Sequence, residues 1–208
     1  MNDIDEALAE INTIRNQIAR ATEFRGYGPA TVATTGLLAI ATALVQQRAF
    51  PAAIHSAATY IAIWTVAAAL ATGLIGIEMV IRSRTIHSGM ATEMIFNAIE
   101  QLIPSAVAGV LLATVLTRVA PESDWMIPGL WEIVFSMGLF ASTHFLPRAV
   151  LVVAAWYLVA GLLCLAWSAT ARTLSPWAMG VPFGLGQILA AGILLIAGEN
   201  ADGSIEEN

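Results

Sequence analysis

Lysine is absent from this sequence, cysteine occurs once, and charged residues make up only 12% of 208 positions. Each shortage excludes something. Without lysine there is no Schiff-base nucleophile and no phosphate-binding P-loop. Cys164 has no second cysteine with which to form an internal disulfide, and it lies within an apolar run. Soluble domains carry about 25% charged residues, so half of the usual solvating surface is missing here. A formal net charge of -6 without a basic patch gives nucleic acid no footing.

What is present is apolar. Hydrophobic residues reach 58%, with a mean hydropathy of +0.75. The charges cluster in the first 25 residues, in short loops and in the acidic stretch from Glu199 to Glu207. Between them lie runs of roughly 20 apolar residues, the length that crosses a hydrocarbon core at about 1.5 Å per residue. The expected fold is an all-α polytopic transmembrane bundle whose main partner is the lipid bilayer. Six spans are expected, over Ala30 to Val45, Ile54 to Ile81, Ala91 to Leu116, Gly129 to Leu146, Ala149 to Ser168 and Pro176 to Ala197. Three regions follow: residues 1–27 as an N-terminal amphipathic helix, 28–198 as the bundle and 199–208 as an acidic cytoplasmic tail.

The N-terminal region sets Ile4, Leu8, Ile11, Ile14 and Ile18 three and four residues apart, with Asp3 and Glu6 resembling a capping box. A stripe of this kind lies on a membrane surface or docks a protein partner, and residues 3–24 are the candidate docking segment. Phe24-Arg25-Gly26-Tyr27-Gly28-Pro29 then breaks the helix. The acidic start differs from the basic n-region of a secretory signal, so no cleaved leader is expected.

Arginine sets the orientation. Arg15, Arg20, Arg25, Arg82, Arg84 and Arg148 map to the side of the N-terminus, against Arg48, Arg118 and Arg172 on the other. The positive-inside rule makes both termini cytoplasmic. Trp125, Trp131, Trp167 and Trp177 map to the outer ends of spans four to six, as in an aromatic belt.

The polar residues inside the spans are the functional candidates, because an intramembrane carboxylate costs on the order of 3 kcal/mol unless matched. Glu93, Asn97, Glu100 and Pro104 form one stripe of the third span, beside Gln101. Glu78 and His144 map to the same cytoplasmic half, giving a candidate acidic polar cavity of Glu78, Glu93, Asn97, Glu100, Gln101 and His144. A polar seam between helices is the plainer explanation of the same residues. No Glu-x-x-His pair is present, so neither metal nor cofactor is expected, and no nucleophile set supports an enzyme. Glu132, near the outer end of the fourth span, is read as reaching headgroups or water.

The sixth span holds Gly180, Pro182, Gly184, Gly186 and Gln187, a candidate broken-helix segment able to expose backbone to a ligand. Gly180 and Gly184 also form a G-x-x-x-G packing face. The order of these residues differs from that of Gln101, Pro104 and Gly109 in the third span, so an inverted repeat has little support.

Three segments carry a resemblance: residues 24–29, Gly138 to Ser142 with Leu146-Pro147-Arg148, and Ser175 to Gln187. Together they resemble a family of small uncharacterised bacterial six-helix inner-membrane proteins. The resemblance implies a bacterial inner membrane and supplies no catalytic or binding residue. Two functions stand open. One is a transporter-like, or ion- or small-ligand-responsive, bundle with its acidic cavity facing the cytoplasm. The other is a non-transporting sensor or partner subunit that docks through its N-terminal helix. Self-association is compatible with either.

Overall fold

The computed structural model describes residues 28–51, 56–85, 90–142 and 149–206, without the side chains of 82–85, 90–99, 101 and 197–206. The described chain is all-helical. Its elements are α1 (Pro29–Ala49), α2 (Ala57–Thr85), α3 (Met90–Val119), a 3-10 turn η1 (Pro121–Met126), α4 (Ile127–Ala141), α5 (Val150–Ala171) and α6 (Trp177–Glu206).

Five of these helices, all but α4, are long and apolar enough to cross a membrane. Large apolar side chains such as Leu37, Val66, Ile77, Val110, Leu163 and Ile196 point outward. That is the arrangement expected where the solvent is hydrocarbon rather than water. α4 has 15 residues, about 22 Å at the helical rise, and residues 143–148 beyond it lie outside the description. α6 runs on to Glu206, so the helix continues through the acidic stretch from Glu199. α3 and α6 continue through Pro104 and Pro182 respectively.

Two helix pairs carry most of the packing, α1 with α6 and α4 with α5, and α5 meets α6 to join them. α2 lies against α1, and α3 against α4. Small residues make both main pairs possible. A Cβ on Gly36 would stand 2.8 Å from the Gly184 carbonyl oxygen, and a Cβ on Gly129 2.7 Å from that of Gly161. Backbone meets backbone in each case, the close approach that drives helix association where lipid removes any hydrophobic advantage.

Indole N–H groups tie the pairs together. Trp64 of α2 donates to Gln46 Oε1 of α1 (2.9 Å) and Trp177 of α6 to Gln47 Oε1 of α1 (2.8 Å). Trp131 of α4 donates to the Gly109 carbonyl of α3, and Trp156 of α5 to the Pro182 carbonyl of α6, both at 2.9 Å. Where such a donor is buried, as in Trp64, it has no water to turn to and is committed to a neighbouring helix. Trp167 alone of the belt tryptophans stands strongly exposed, at 86%.

Candidate functional site

The most unusual side chain in the described bundle is Glu132. It follows Gly129 by three residues on α4, and that spacing sets both on the face turned to α5. Gly161 of α5 lies opposite: a Cβ built there would stand 2.7 Å from the Gly129 carbonyl oxygen and 3.1 Å from Glu132 Cβ. Backbone contact at this point seals the carboxyl. Glu132 is 0% exposed, and neither carboxyl oxygen has a hydrogen-bond partner among the described residues. The sequence placed it at headgroups or water; packing against Gly161 turns it into the bundle instead.

Its surroundings are polar in a particular way. Buried or half-buried polar groups occur on α5, at Tyr157 and Cys164, and on α2, at Tyr60. Tyr60 donates to the Ser175 carbonyl at 3.0 Å, and Cys164 lies 4.0 Å from the Ser168 hydroxyl. The Tyr157 hydroxyl has no partner, although its ring is held edge-on by Phe135 and tilted against Phe183. One turn deeper on α4, Ser136 donates to the Ala154 carbonyl at 2.8 Å. No arginine is set against Glu132 among the described residues, and they contain no metal-binding cluster. The carboxyl oxygens are closed to a water-sized sphere. A hydrated cation has no room beside them, whereas a proton needs none.

The six residues of the expected acidic cavity fare differently. Glu78 is partly buried near the end of α2, where its carboxylate accepts the Gly28 N–H at the start of α1 (3.2 Å). Glu100 is exposed. The backbone of Glu93, Asn97 and Gln101 belongs to α3, but their side chains, like His144 as a whole and the docking segment 3–24, lie outside the described residues. The groove that is described holds about 420 Å³ between α1 and α2 and is mainly apolar, with Val45, Ile63, Val66 and Leu70 beside Gln46; none of the six lines it.

The candidate broken-helix segment of α6 is a continuous helix with its small residues in contact. Gly180 faces Ala43, Gly184 faces Ile40, Gln187 lies over Gly36, and Gly186 lies beneath the Tyr157 ring. Pro182 offers its carbonyl to Trp156.

Two stripes carried the signal for the buried site. Gly129, Glu132 and Ser136 sit at i, i+3 and i+7, while Tyr157, Gly161, Cys164 and Ser168 sit at i, i+4, i+7 and i+11. Each is a small or polar face on an otherwise apolar helix. No protein family, curated relative or solved structure matches the chain.

Proposed function

We propose that the chain is a proton-responsive multi-pass membrane protein, transporter-like in build, with Glu132 as the responsive group. In this reading both termini lie in the cytoplasm of a bacterial inner membrane, an orientation that the arginine distribution supports. The observation that carries the reading is the complete burial of Glu132 with both carboxyl oxygens unpartnered. An ionised carboxylate in such a place costs several kcal/mol, so the closed packing of α4 on α5 favours the neutral acid. Loss of the proton weakens that packing, and proton release thereby becomes a change in helix contact.

The test is thermal unfolding of the purified protein in detergent from about pH 5 to about pH 9, the range that brackets a displaced carboxyl. The wild type is expected to melt at lower temperature as pH rises, and Glu132→Gln to lose most of that dependence while staying folded. A wild-type profile without slope, or a variant that keeps it, ends the reading. Proton flux into dye-loaded proteoliposomes separates a transporter from a sensor. Reporter fusions after Asn208 and within 121–128 test the topology, which requires opposite sides.

A further inference from the structure

The assignment of Glu132 leaves open what receives the carboxylate once the proton has gone. Among the described polar side chains of α2 and α5, the Tyr60 hydroxyl is engaged with the Ser175 carbonyl, and the Cys164 thiol lies beside Ser168. Tyr157 differs. It is 1% exposed, and its hydroxyl is closed to water and without a partner. Two unpartnered polar groups on facing helices of one tight pair are an unusual expense, since each buried group left unsatisfied costs about 1–3 kcal/mol.

Geometry sets them near one another. Gly161 faces Glu132, and Tyr157 lies one turn before Gly161 on the same stripe of α5. On α4, Phe135 follows Glu132 by three residues and meets the Tyr157 ring with centroids 4.9 Å apart. The ring is therefore anchored one helical turn from Glu132 along α4. Its far edge rests on α6, where a Cβ on Gly186 would stand 2.6 Å from the hydroxyl oxygen. Only a glycine leaves the hydroxyl that space.

We infer that Tyr157 is the positioning residue for Glu132, donating its hydroxyl to the carboxylate when the proton leaves. This rests on the reading of Glu132 given above. No bond to the phenol breaks: the hydroxyl keeps its proton and supplies a hydrogen bond that the neutral acid does not require. The other groups facing Glu132 do not compete. α6 presents Gly186 and Phe183 to the Tyr157 ring, α3 meets α4 through Leu102, Ser105 and Gly109, and η1 contributes Asp124 before α4 begins.

The experiment compares the pH midpoint of the thermal transition in the wild type, Glu132→Gln, Tyr157→Phe and Gly186→Ala, all as full-length protein in detergent. Tyr157→Phe keeps the ring and its aromatic contacts, so folding below the midpoint should be preserved. Removing this free donor should move the midpoint up by about one to two pH units, the weight of a hydrogen bond to a charged group. Gly186→Ala crowds the hydroxyl and should move the midpoint as well, while the ring remains. If Glu132→Gln abolishes the transition and Tyr157→Phe leaves its midpoint in place, the positioning role is overturned and Glu132 stands. A wild type with no transition removes the reading of Glu132 itself. Should Tyr157→Phe fail to fold, an unmoved midpoint in Gly186→Ala overturns the role instead.

Discussion

Glu78 closes the start of α1 from near the far end of α2, its carboxylate accepting the Gly28 N–H at 3.2 Å across fifty residues of sequence. Gly28 is the N-cap of α1 and has no side chain of its own to cap with. Glu78 thus supplies in trans what the glutamate of a capping box supplies in cis, and adds a negative charge at the positive end of the helix dipole. The glycine is needed because a Cβ there would overlap the carboxylate.

Removing that carboxylate should therefore loosen α1 at one end. Glu78→Ala is expected to cost about 1–2 kcal/mol in reversible unfolding in mixed micelles, and Glu78→Gln less, because an acceptor remains. Gly28→Ala should cost a similar amount and add little to Glu78→Ala in the double variant, since both break one contact. Additive losses would separate the two residues.

The α1–α6 contact predicts an asymmetry between two glycines. A methyl on Gly36 meets the Gly184 carbonyl oxygen at 2.8 Å, which moves only with the helix, whereas a methyl on Gly184 meets the Ile40 side chain, which has other rotamers. Gly36→Ala is expected to cost about 2–3 kcal/mol and Gly184→Ala about 1 kcal/mol or less. Equal losses would mean that α1 and α6 separate easily.

Asp124 gives a pH signature outside the membrane-spanning helices. Burial in η1, and then the charge on Glu122, hold its carboxyl above the usual aspartate range, and Oδ1 lacks a partner. Because the folded state favours the protonated form, the penalty is absent below the ordinary value of about 4. It grows as pH rises through the raised value and is constant above it. Asp124→Asn should melt higher than wild type at about pH 8 and equally at about pH 3. A gain that persists at low pH would point to a cause other than charge.

Five of the six expected spans coincide with helices long and apolar enough to cross a membrane, because apolar run length is a one-dimensional property that each segment satisfies alone. α2 and α6 are longer than expected, since Arg82 to Thr85 and Glu199 to Glu206 stay helical after hydropathy falls. The site was harder to see. Depth from the helix end assigned Glu132 to the interface, but its burial is decided by Gly161, which lies 29 residues away in sequence on another helix. Likewise Glu78 reads as part of an acidic cavity until Gly28 is folded against it. Hydropathy ranks how deep a residue lies along its own helix; which neighbour closes over it depends on pairwise packing that the sequence order does not contain.

The tryptophans provide the last test, because the same residue type occupies places that differ in what is left behind. Trp64 donates to Gln46 Oε1, and since an indole only donates, the amide is oriented with its oxygen toward α2. Gln46 is fully buried and its Nε2 has no partner. Trp64→Phe would strand the oxygen as well, at about 1–3 kcal/mol beyond the lost ring volume. Trp131→Phe removes a bond to the Gly109 carbonyl, which sits inside helix α3. Its polar cost should be near the average interhelical bond in a membrane, about 0.6 kcal/mol. Trp167, at 86% exposed, should tolerate Phe with little change. Reversible unfolding of the three variants should therefore rank Trp64 above Trp131 above Trp167. In a Gln46→Met background the Trp64→Phe penalty should shrink, because no buried amide oxygen remains to be stranded. An undiminished penalty there would assign the role of Trp64 to ring packing in the core rather than to its bond with Gln46.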